Sequence, residues 1–224
     1  MRLVLAPTLI AGGLLVACVF SSGFAVADPE TCPSVCDKIP DTAWISSSAI
    51  PLNATYQWPS PAGSAVSMTG GATPRFRFEE VCVTPTFPQD TRNSAVVSRV
   101  AVDKPQGQWQ LRAEVVHWRG DTARGGQSAT SVFDVAAAAL RGCQLGVSGE
   151  SPSVTLDEPN RLSAVVSGPV IMHTYLVAHP ENSTISELTL WSSEPPQVPW
   201  PVTSDAQVLD AITSPVCAAY IGSC

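Results

Sequence analysis

Cys32 and Cys36, in the run TCPSVCDKIP, are the most closely spaced cysteines of the chain. Metal ligation, thiol redox exchange and disulfide stapling are the chemistries open to such a pair. Structural zinc takes four Cys or His ligands arranged as close pairs, and no second close pair or nearby histidine completes a set here. Thioredoxin-type motifs have a shorter spacing within a βαβ setting, and neither condition is met. A helical turn would place residues 32 and 36 on one face, where each could reach a separate partner. Stapling is therefore the expectation, and no metal is assigned.

The remaining candidates for chemistry are sparse. Ser148 in LGVSGES lacks the spacing and the strand-to-helix elbow of a hydrolase nucleophile, and reads as a polar turn. Of the three histidines, His117, His173 and His179, the last two share a strand face with Tyr175 but sit about 20 Å apart, too far to ligate one ion; a solvent-facing strand face is expected for them. Glu79, Glu80 and Glu114 lie on expected strands, and nothing fixes a separation that would suit a glycosidase pair. SMTGGATP and ARGGQS lack the lysine and the helix-opening context of a phosphate loop. No catalytic residue and no cofactor is assigned. The aromatics offer more. Trp109, Trp118, Tyr175, Trp191 and Trp200, several of them beside Pro and Ser, could form a surface that stacks on a sugar or a peptide; core packing is the competing reading for each.

Composition sets the compartment. The net charge is −7, from 19 acids against 12 bases, and no Lys/Arg cluster marks a phosphate-binding surface, so nucleic acid is excluded as a partner. Residues 1–27 carry one Arg, an apolar stretch from Leu3 to Phe20 and the small-residue ending Ala25-Val26-Ala27, which reads as a secretory signal peptide cleaved after Ala27. LVAC at 15–18 is an alternative, a lipidation site at Cys18, and retention of the leader as an anchor is a third reading; a membrane is a partner only in those two cases. Loss of Cys18 with the leader leaves Cys32, Cys36, Cys82, Cys143, Cys217 and Cys224, an even set that reads as disulfides of open pairing.

The elements that must position these residues follow from periodicity. Residues 28–74 form a Cys-containing, Pro/Ser-rich arm whose Trp44, Tyr56 and Trp58 pack it onto a globular domain at 75–224. Period-two alternation predicts strands at 75–83, 95–103 and 108–118, with KPQG as the turn of a hairpin. TSVFDVAAAALRGC predicts a helix capped by Ser131 with Asp134, ending at Gly142 with Cys143 placed to tie it to a strand. Strands at 152–156, 161–167, 169–179 and 185–191, separated by short polar turns, predict an antiparallel meander. A last helix starts at Ser204 with Gln207, and Pro215 should end or kink it. The class is α+β, a mainly antiparallel sheet with two principal helices on one face.

The leader ending AVADPE, the Ala/Val-rich composition and the paired cysteines resemble exported mycobacterial proteins. Within that group, the stretch from SVFDVAAAALRGC through RLSAVVSGPVIMHTYLV to SDAQVLDAITSPVCAAY is similar to the extracellular sensor domain of mycobacterial receptor-type serine/threonine kinases and its secreted or lipoprotein relatives, over about residues 75–220. The resemblance implies a disulfide-bonded α+β domain that binds an envelope ligand without catalysis. The expected function is thus a secreted or envelope-associated, sensor-like binding protein, whose partner is a small molecule, glycan or protein. The alternatives are an envelope hydrolase with a site assembled from distant residues, and a structural or adhesive surface protein. Non-reducing peptide mapping of the exported protein is expected to show an N-terminus at Asp28 and no free thiol at Cys32 or Cys36; free thiols or bound zinc there would refute the stapling expectation.

Overall fold

The structure, a computed structural model, describes residues 32–33, 38–68, 74–193 and 195–221, with the backbone alone at 32, 33 and 221. The strands are β1 (Cys32–Pro33), β2 (Val66–Ser67), β3 (Val96–Val102), β4 (Gln110–His117), β5 (Ser151–Glu158), β6 (Arg161–Ser167), β7 (Val170–His179), β8 (Thr184–Ser193) and β9 (Tyr220–Ile221). The helices are α1 (Asn53–Tyr56), α2 (Pro61–Ser64), α3 (Arg77–Val81), α4 (Thr122–Arg141), α5 (Cys143–Gly146) and α6 (Asp205–Ala219). Seven strands make one sheet in the order β2-β3-β4-β8-β7-β6-β5, antiparallel throughout; β1 and β9 pair apart from it, in parallel. The α+β class, the β3–β4 hairpin and the β5-to-β8 meander stand as read from periodicity. β8 then returns to pair with β4, from Gln110↔Trp191 to His117↔Thr184.

The two long helices do not share a face. α4 buries Ala129, Val132, Phe133, Ala136, Ala137 and Leu140 against Val97, Val116, Leu162, Met172, Leu176 and Ile185. α6 buries Val208, Leu209 and Ile212 against Leu111, Ala113, Val115, Tyr175, Val177, Leu188 and Leu190. These sheet residues alternate along each strand, so the two sets point to opposite sides. Trp44, Ile45, Ile50, Leu52 and Trp58 join the α6 side. Helices on both sides explain why β8 is buried along almost its whole length, whereas an exposed face would show alternation.

Four local expectations are corrected. The strand at 75–83 is instead a turn leading into α3: Phe76 and Phe78 are both buried, and Glu79 Oε2 accepts from the Phe76 N–H at 2.7 Å, closing the first turn. Alternating apolar residues over so short a run fit either element, and tertiary contacts decide. α4 starts well upstream of Ser131, at Asp121, whose Oδ1 accepts from the Arg124 N–H at 2.9 Å. The helix runs through Gly125 and Gly126 because a β-carbon there would lie 2.2 Å from Ser183 Oγ and 2.5 Å from the Pro180 carbonyl oxygen: the glycines serve the close approach of the β7–β8 connection. Cys143 ties α4 not to a strand but to Cys82 at the end of α3, with S–S 2.04 Å. α6 continues through Pro215 to Ala219, held past the proline by Val216 and Ala219 packing on Ala43 and Tyr220, and the Ser204 side chain makes no capping bond. Cys217 is also disulfide-bonded; Cys18, Cys36, Cys224 and the Cys32 side chain lie outside the described residues, as does the leader.

Gly126→Ala is expected to destabilise the fold by about 1–3 kcal/mol in urea melts, since the methyl meets backbone that cannot swing aside. Gly63→Ala, with nothing within 4 Å, should stay within about 0.5 kcal/mol of the wild type.

Candidate functional site

The five aromatics read as a ligand surface do not form one. Trp109 and Tyr175 are buried on the α6 side, Trp118 and Trp191 on the α4 side, and only Trp200 is half-exposed. The polar tips of Trp109, Trp118 and Tyr175 are spent internally, as burial requires. Trp109 Nε1 donates to the Val198 carbonyl at 2.7 Å, Trp118 Nε1 to the Thr91 carbonyl at 3.0 Å, and the Tyr175 hydroxyl to Asp205 Oδ1 at 3.0 Å. Trp200 stacks on His173 with centroids 3.6 Å apart. These rings fasten loops and the start of α6 to the sheet.

The histidines are covered too, against the expectation of a solvent-facing strand face. His173 is pushed down to about 4 by burial, which the nearby Asp205 opposes only in part. Burial likewise pushes His179 to about 4. His117 stacks on Tyr220 at 4.9 Å, and its Nδ1 lies 3.1 Å from Thr184 Oγ1. All three occupy odd-numbered positions of β4 and β7, on the α6 side of the sheet with Val115, Tyr175 and Val177. Ser148 sits in an exposed turn.

On the α4 side the carboxylates converge with arginines. Glu114 and Glu187 are directly opposite on β4 and β8, 0% and 2% exposed. Arg99 Nε donates to Glu114 Oε2. The Arg77 N–H donates to Glu187 Oε1 at 2.8 Å. Arg112 holds Glu80 through both terminal nitrogens at 2.9 and 3.1 Å. Arg77 also grips Glu80, at 2.7 Å, and lies over the Trp191 ring. Glu79, 4% exposed, takes Arg92 Nη1 at 2.6 Å and Nη2 at 3.0 Å, and Asp90 takes Arg92 Nη2 at 2.6 Å. Glu79 and Glu80 thus reach this cluster from α3, not from a strand. Glu187 escaped the sequence reading, although a lone glutamate inside the apolar run ISELTLW was the available signal.

A groove opens on the outer side of α4. Thr122, Gln127, Thr130, Ser131 and Asp134 form its floor, Pro180 and Glu181 one wall, and its volume is about 710 Å³. Ser131 and Val135 continue it into a smaller recess under Phe87, Asp90 and Thr91, of about 90 Å³. Phe87 and Val135 are 48% and 41% exposed. The Gly125–Gly126 contact sets the first wall, and the Trp118–Thr91 and Arg92–Asp90 bonds set the second. Hydroxyls, an amide, two carboxylates and one ring thus face outward. Arg92, the cation in the lining, is committed to Glu79 and Asp90. Hydrogen bonding to a neutral or cationic ligand suits this set; an anion finds no free charge in the lining. The groove hydroxyls and the histidines lie on opposite sides of the sheet, so no hydroxyl–imidazole pair forms there.

Arg92→Ala strands two buried carboxylates, and is expected to cost about 3–5 kcal/mol in chemical unfolding. Arg92→Lys should recover only part of this, because an ammonium cannot reproduce the fork that grips Glu79. Comparisons with protein-family models, with curated proteins and with solved structures found no match to this chain.

Proposed function

We propose that this chain is an exported, sensor-like binding protein without catalytic activity, which takes a neutral, hydroxyl- or amide-bearing ligand of the cell envelope or its surroundings into the groove on α4. The observation that carries this reading is the lining itself: hydroxyls, an amide and the Phe87 ring on an open groove, with the Asp134 and Glu181 carboxylates as further hydrogen-bond acceptors, the chemistry with which proteins orient sugars and peptides. The separation of the groove hydroxyls from every histidine supports a binding role over a hydrolytic one. Export rests on the leader and on the oxidised cysteines Cys82, Cys143 and Cys217. The described helices include none long and apolar enough to cross a membrane.

Isotope-edited NMR with neutral cell-wall oligosaccharides and uncharged peptides as probes should shift the amides of 122–135 and 180–181. Ser131 is exposed, so Ser131→Trp should fill the groove, leave the melting temperature within about 2 °C, and weaken binding at least tenfold. Binding that survives this substitution and maps elsewhere would refute the reading, as would turnover of any probe.

A further inference from the structure

The centre of the sheet holds two carboxylates where one negative charge is easier to accommodate than two. Glu114 and Glu187 face each other across the β4–β8 pairing, a position in which side-chain carbons approach to about 5 Å. One oxygen of each is committed: Oε2 of Glu114 to Arg99, and Oε1 of Glu187 to the Arg77 N–H and, at 3.0 Å, to the Thr189 hydroxyl. Thr189 in turn lies 2.8 Å from Thr174 Oγ1, which can donate to it. The other oxygens, Glu114 Oε1 and Glu187 Oε2, are buried and have no hydrogen-bond partner. Two acceptors alone cannot satisfy each other, whereas one proton between them satisfies both.

The surrounding charges decide which residue carries it. Arg99 from β3 binds Glu114 directly, and Arg112 and then Arg92 add to the positive field there. Arg112 from β4 and Arg77 from α3 have their side chains on Glu80, while Glu79 is neutralised by Arg92. Among the described residues no cation is bonded to Glu187, and Arg112 acts on it only through its field. We propose that Glu187 is protonated on Oε2 and donates to Glu114 Oε1, making the β4–β8 pairing a proton-binding site that favours mildly acidic surroundings. Burial, and then the facing Glu114, push Glu187 up to about 8, in keeping with this geometry.

A glutamate whose folded pKa lies above its unfolded value gives the folded state an extra proton. The stability it supplies is complete below about pH 4.5 and is lost as pH rises to about 8. Each pH unit inside that window lowers the folding equilibrium constant by up to about tenfold. The site is independent of what the α4 groove binds.

Carbon-detected NMR of the wild-type side-chain carboxyls tests the site directly. One glutamate, assigned as 187, is expected to titrate with a midpoint near 8. Glu187→Gln reproduces the protonated form, since its amide can donate to Glu114 and its carbonyl can accept from Arg77. Between pH 5.5 and 7.5 the wild type should lose up to about a hundredfold more in folding equilibrium constant than this variant. Both carboxyls titrating below pH 6 would overturn the proposal, as would identical pH dependence of the two proteins. If the variant does not fold, the wild-type titration decides alone.

Discussion

The pairing of β4 with β8 is the constraint on which the rest of the structure depends. It joins the β3–β4 hairpin to the later meander in one sheet, and it lies between two helical layers, so both strands are covered on both faces. Central strands of this kind should be almost wholly apolar. They are so on the α6 side over most of their length, where Leu111, Ala113, Val115, Leu188 and Leu190 meet α6 and the 39–65 segment. On the α4 side they carry Glu114, Arg112 and Glu187 at mid-strand. The fold must therefore solve a buried electrostatic problem at its centre.

Its solution recruits elements from elsewhere in the chain. β3 contributes Arg99, and α3 contributes the Arg77 amide and Glu80. α3 is only five residues long, too short to be stable on intrinsic propensity. It is held by Phe76 and Phe78 in the core, by the Glu79–Arg92 clasp and by the disulfide from Cys82 to Cys143. Those same contacts place the 87–94 segment beside α4 and so shape one wall of the groove. The polar centre of the sheet and the wall of the α4 groove thus lean on the same few short, strongly anchored residues.

The sequence made the repetitive elements legible and hid the singular ones. Strands β3 to β8 follow from alternation and short turns, which are local properties. α3 was hidden because RFRFEEVCV fits a strand and a helical turn about equally, and only its burial against α4 and Glu187 separates them. The early start of α4 was hidden by Gly125 and Gly126, which count against a helix locally and are explained only by Pro180 and Ser183, far along the chain. The tryptophans misled for a related reason: rings bracketing a strand, as Trp109 and Trp118 do, fit a surface or a core equally by local sequence, yet Trp109 donates to Val198 and Trp118 to Thr91, so distant segments hold them inside. None of the groove side chains carries a sequence signature of binding: Ser131 and Asp134 read as a helix cap, and Thr and Gln on a helix face look like ordinary solvated positions.

α4 divides its tasks cleanly between its two sides. Its stability resides on the inner side, in Ala129, Val132, Phe133, Ala136, Ala137 and Leu140. Its outer side, with Gln127, Ser131 and Asp134, contributes little to the core. Substitutions there cost the fold little, which is the condition under which a surface can be shaped by what it binds. The α6 side has no such freedom: its aromatics and histidines are interlocked with Val198, Asp205 and Thr184, and altering one strands another. A binding role on the outer side of α4 is therefore compatible with the rigid interior beneath it, whereas a site among the buried aromatics would have to dismantle the contacts that hold the last helix in place.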